Sequence, residues 1–71
     1  MKPTLMQLRE RHGINLYAMW DASGLEDSLP VYLALFKHPI TREQAQRIIE
    51  GINHIAGTEY TLETVDIVLA E

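Results

Sequence analysis

Apolar residues recur along this chain at helical spacing, in short stretches broken by glycine or proline. Leu5 and Leu8 share one face of a first helix. Thr4 and Gln7 mark its start as a capping box, in which the two side chains satisfy amides that a helix start leaves free. Gly13 supplies a left-handed stop. Asn15 can cap a second helix, from Leu16 to about Ala22, closed by Gly24. A third helix starts near Asp27 or Ser28 and carries Pro30 in its first turn, where a missing amide costs nothing. It runs to about Lys37 and must stop before Pro39, because the residue preceding proline avoids the helical region. In the fourth helix, Thr41 and Gln44 form another capping box. Ala45, Ile48, Ile49, Ile52, Ile55 and Ala56 then lie on one face, and Gly57 ends it.

The tail carries two patterns at once. Thr61 can cap a helix with Leu62, Val65 and Leu69 on one face, while Val65, Ile67 and Leu69 alternate as in a strand. A helix is the expectation, with a short C-terminal strand as the alternative. Connections are short and repeats are absent, so the fold class is all-α: a compact bundle of four to five short helices, in one domain over residues 1–71. A chain of this size buries about 60% of its unfolded surface, enough for one thin core.

Charge then narrows the partners. Six Lys and Arg against ten Asp and Glu give a net charge of −4, so binding to nucleic acid or anionic lipid requires a local patch. There is no cysteine, which excludes disulfides and thiolate metal sites. The longest stretch without a charge, residues 28–36, is far short of the roughly 20 residues of a membrane span. The start, Met1-Lys2-Pro3-Thr4, leads into a charged amphipathic stretch without a signal-peptide apolar region, so a cytoplasmic location is expected.

Residues 16–25, Leu-Tyr-Ala-Met-Trp-Asp-Ala-Ser-Gly-Leu, together with Pro30-Val31-Tyr32 and Pro39-Ile40-Thr41-Arg42-Glu43-Gln44-Ala45, form an ordered set of helix starts and stops. In length and helix order the chain, from about Thr4 to Gly57, resembles the Cro/repressor-type (XRE-like) helix-turn-helix proteins with a lambda-repressor-like fold. The resemblance implies a small transcriptional regulator that binds double-stranded DNA, with the third helix as the recognition helix. It implies that Ser28, Tyr32 and Leu29 face the major groove, and that Lys37, His38, Thr41 and Arg42 position the phosphate backbone. So short a chain reaches few bases, and specific binding implies a homodimer on two half-sites. Two positions depart from the family pattern. Trp20 stands where an alanine usually lets the two helices approach, and Pro30 falls where an aliphatic residue is usual unless the turn is one residue longer.

The chemistry of the third helix supports a second reading. It begins Glu26-Asp27, which repel phosphate, and continues with Leu29, Val31, Leu33, Ala34, Leu35 and Phe36 around most of its circumference. A helix apolar all round is either central or covered on one face by another molecule. Tyr17, Trp20, Leu33, Leu35 and Phe36 are the candidate interface residues of a helical protein-interaction or dimerisation module that does not bind DNA.

Other chemistry is thin. His12, His38 and His54 lie far apart without ligand spacing, so no metal site or cofactor is expected. His12, beside Gly13, suits a helix C-terminus. No nucleophile adjoins a base and no phosphate loop is present; Glu10, His12 and Asp66 are isolated, so the chain is not expected to be an enzyme. Arg9, Arg11, Arg42 and Arg47 suit solvated helix faces, with Arg47 four residues after Glu43 in the favourable orientation for an ion pair.

Overall fold

The computed structural model describes residues 1–70. Among them four helices follow in chain order: α1 (Leu5–His12), α2 (Leu16–Ser23), α3 (Leu29–Leu35) and α4 (Arg42–Ala56). The starts are chemically defined. Thr4 and Thr41 each accept from the amide three residues on, while Gln7 and Gln44 reach back to the Thr amides, completing both capping boxes. Asn15 Oδ1 accepts from the Ala18 amide at 2.7 Å. Gly13, Gly24 and Gly57 end α1, α2 and α4 in the left-handed region.

The end of α3 is built differently. His38 N donates to Leu33 O (2.8 Å) and Lys37 N to Ala34 O (3.2 Å), the bond pair of a Schellman cap. The left-handed residue of that cap is Lys37, at φ 62°, where glycine is usual. Such a conformation costs a side-chain-bearing residue about 1–2 kcal/mol. A partner offsets part of this: Lys37 Nζ lies 2.8 Å from Asp66 Oδ2.

One core joins all four helices. Leu5, Leu8, Ile14, Met19, Val31, Ala34, Leu35, Ile40, Ala45, Ile48, Ile49, Ile52 and Val65 are buried together. The apolar stripe of α4 stops at Ile52. Ile55, expected on the buried face, is exposed, and Gly51 is buried in its place on the side facing α2. A Cβ on Gly51 would lie 2.9 Å from both the Ala22 carbonyl carbon and the Ser23 amide nitrogen. The missing side chain therefore sets how closely α2 and α4 approach.

The tail corrects the expectation of a fifth helix. Residues 61–64 make a turn, with Thr64 N donating to Thr61 O, and the chain then runs extended. It forms two isolated parallel bridges, Thr4 with Asp66 and Ile40 with Leu69, rather than a sheet. Asp66 N donates to Pro3 O at 2.8 Å, Ile40 N to Val68 O at 3.2 Å, and Ala70 N to Ile40 O at 2.7 Å. Pro3 and Ile40 each stand immediately before a helix N-cap, so their backbone groups lie outside any helix and are open to an extended partner. With Val65 inserted into the core, the β-branched run follows those groups instead of forming its own ladder. No helix among the described residues is long and apolar enough to cross a membrane.

Candidate functional site

The helix that reads as apolar all round divides into two faces. Pro30, Val31, Ala34 and Leu35 are buried, whereas Leu29, Tyr32 and Phe36 are 54, 44 and 64% exposed, with Leu33 half-buried at the edge. Positions 29, 32 and 36 fall at i, i+3 and i+7, one stripe along the outer side of α3. The helix is therefore not central: its own chain covers one half, and three large apolar side chains face water. Leu35, expected at an interface, belongs to the inner half because it lies one position from the exposed stripe and packs into the core. Trp20 is half-buried. Its indole Nε1 donates to Leu25 O at 2.8 Å and ties the α2–α3 connection to α2, and the exposed ring of Tyr17 meets it edge-on at 5.9 Å between centroids.

The residues expected at DNA are scattered by comparison. Ser28 is half-buried and precedes α3 without a side-chain capping bond. Leu29 and Tyr32 are on the exposed stripe. Lys37 and His38 are exposed at the far end of α3, but the Lys37 ammonium is held by Asp66, which the sequence suggested was isolated. Thr41 Oγ1 accepts from Gln44 N at 3.1 Å as the α4 cap, and Arg42 is exposed in the first turn of that helix. Lys37 and Thr41, both meant to position phosphates, thus already have structural partners.

Electrostatics sharpen the contrast. From Ile14 to Phe36 the chain has Asp21, Glu26 and Asp27 and no Lys, Arg or His. All three carboxylates are exposed, and among the described residues none is paired with a cation. Asp27 Oδ1 accepts from the Leu29 amide at 3.1 Å, which fixes that carboxylate at the N-terminal edge of the stripe. Elsewhere, the exposed face of α4 and Leu62 border an open groove in which charges of both signs alternate. There Arg47 donates to Glu43 at 3.3 Å, the expected pair.

Several contacts were not foreseen from the sequence. His12 Nε2 lies 3.1 Å from the Tyr60 hydroxyl, joining the end of α1 to the tail. Asn53 fastens the segment after α4: its Oδ1 accepts from Thr58 Oγ1 (2.8 Å) and Tyr60 N (2.8 Å), and its Nδ2 donates to Tyr60 O (2.9 Å). Gly51 was legible in principle, because a lone glycine inside a strong helical pattern usually has a packing reason. In comparisons with protein-family models, curated proteins and solved structures, nothing matches this chain.

Proposed function

We propose that this chain is a small helical protein-interaction module that docks a partner on the outer face of α3. The observation that carries this reading is the stripe of Leu29, Tyr32 and Phe36, exposed beside the carboxylates of Glu26 and Asp27. A DNA-reading helix offers hydrogen-bond donors and acceptors to base edges and cations to phosphates. Leu29 and Phe36 offer neither; of the stripe only Tyr32 has a polar group, a single hydroxyl, and the carboxylates of Glu26 and Asp27 accept hydrogen bonds but repel phosphate. Such a surface suits instead the composition of a protein interface, where aromatic anchors concentrate and charges move to the rim.

The area sets the strength of binding. With roughly 200 Å² for a freely exposed large side chain, these three leave about 300 Å² of apolar surface in water. Covering that area and an equal one on the partner buries about 600 Å² in all, well below the roughly 1,200–2,000 Å² of a stable interface. A contact of this size corresponds to a transient complex, not an obligate one.

A photo-crosslinking residue at position 36, installed in cells, tests the assignment. A docking face gives a protein adduct of defined mass that disappears when Tyr32→Ser is added. In parallel, duplex DNA is titrated at about 50 mM and about 200 mM salt. Saturable DNA binding that weakens at least tenfold at the higher salt and is lost in Phe36→Ser would assign the same face to DNA and reject the docking role.

A further inference from the structure

We infer that the occupant of the α3 face is a basic amphipathic segment: aliphatic or aromatic anchors at helical spacing, bordered by Lys or Arg. The inference rests on the docking role proposed above and specifies the partner for it. It comes from charge distribution, not from the apolar stripe alone. The stretch of chain from Ile14 to Phe36, which contains the stripe, carries three exposed carboxylates and no cation, and the first cations after it are Lys37 and the imidazole of His38. Asp27 is fixed beside Leu29 by the bond from the Leu29 amide, and Glu26 precedes it. At the opposite end Lys37 is within 2.8 Å of Asp66, so its charge is locally balanced.

A second copy of the chain fits this surface poorly. Packed antiparallel, it would oppose Glu26 and Asp27 with a lysine already held by its own Asp66. Packed parallel, it would bring the carboxylates of both copies together, and like charges set against each other suppress such pairings. A basic segment has neither difficulty. Its apolar residues cover Leu29, Tyr32 and Phe36, and Lys or Arg at one end meets Glu26 and Asp27. An arginine crossing the stripe can lie over the Tyr32 or Phe36 ring, a cation–π contact favoured by the exposure of both rings. An acidic segment with the same anchors would set its charges against Glu26 and Asp27, and the lysine at the other end is already paired with Asp66.

The test uses the whole chain and two synthetic helical peptides of about four turns. Both carry the same leucine stripe; one has arginine and lysine at the remaining positions, and the other has glutamate. Binding is followed by backbone amide shifts, and self-association by sedimentation. The basic peptide is expected to move resonances of residues 26–37. Its affinity should fall about three- to tenfold in the double variant Glu26→Gln/Asp27→Asn, which keeps the Asp27 side-chain oxygen, and also between about 50 and 300 mM salt. It should be lost in Phe36→Ser, and the acidic peptide should not bind.

Equal binding of both peptides, or self-association through residues 29–36, overturns the basic-segment inference and leaves the docking role standing. Basic-peptide binding that survives Phe36→Ser is unspecific attraction to an acidic protein and also overturns it, as does failure of the basic peptide to bind. The docking role fails separately, if position 36 gives no protein adduct in cells.

Discussion

Replacing Gly51 with alanine sets two energies of opposite sign against each other at one atom. In the interior of a helix, alanine is favoured over glycine by about 1 kcal/mol, because glycine loses more backbone freedom on folding. If α4 were judged alone, Gly51→Ala would stabilise the protein. The structure reverses that sign. The new Cβ would lie 2.9 Å from the Ala22 carbonyl carbon, 2.9 Å from the Ser23 nitrogen and 3.1 Å from the Ala22 oxygen. All three are backbone atoms, so no rotamer change relieves the contact and α2 must move away from α4. Overpacking of this kind costs about 1–3 kcal/mol, sometimes more. The movement also strains the buried end of α2, where Ser23 Oγ donates to Trp20 O at 2.6 Å. With every contact on rigid backbone the upper part of that range applies, about 2–3 kcal/mol, so a net destabilisation of about 1–2 kcal/mol is expected, which for a domain of this size lowers Tm by roughly 5–15 °C. Urea denaturation of the wild type and the variant, with thermal melts by circular dichroism, measures it directly. A Gly51→Ala protein as stable as the wild type, or more so, would refute the close approach of α2 and α4.

Three further outcomes are expected. Leu35→Ala, on the buried half of α3, should cost about 2–5 kcal/mol, while Phe36→Ser next to it should stay within about 0.5 kcal/mol; equal losses in urea titrations would contradict the division of the helix into two faces. With the ion pair removed by Asp66→Asn, Lys37→Gly should add about 1 kcal/mol by relieving the left-handed backbone, and a loss of stability in that background would refute the cap. Asn53→Ala removes three hydrogen bonds to the segment after α4. It should cost about 1–3 kcal/mol and speed amide hydrogen exchange at Tyr60, so unchanged exchange there would speak against that anchor.

Local signals were strongest where the physics is local. Thr4 with Gln7, Thr41 with Gln44, Asn15, and the stop glycines Gly13, Gly24 and Gly57 bound three helices at or within a residue of the expected positions, since a cap is decided by side chains three residues apart. Pro30 and Pro39 confined α3 in the same way. What escaped depends on partners distant in sequence. Thr61 reads as a helix cap, yet the chain after it is drawn into bridges with residues preceding α1 and α4 that no pattern in residues 61–70 reveals. Ile55 continues the helical stripe of α4 but lies beyond the area the other helices cover. Lys37 reads as a solvent-facing cation, and the left-handed turn directs it to Asp66, twenty-nine residues away.

The same limit applies to the candidate surface. Periodicity could say that α3 is apolar on more than half its circumference, and composition could place acids at its start. Which residues are covered depends on where α3 sits, and that assigned Leu35 to the core and left Leu29, Tyr32 and Phe36 outside. The expectation of a Cro/repressor-type protein draws on helix order and turn positions in the sequence, features that say nothing of what the outer face of a third helix binds.

The most direct test compares two ligands on one sample: amide shifts of the whole chain, followed during titration with the basic leucine-striped peptide and, separately, with duplex DNA at about 50 mM salt. A docking α3 whose partner is a basic segment predicts that the peptide moves residues 26–37 in a saturable way and that DNA leaves them in place. Saturable movement of those same residues by DNA, with none by the peptide, would contradict it.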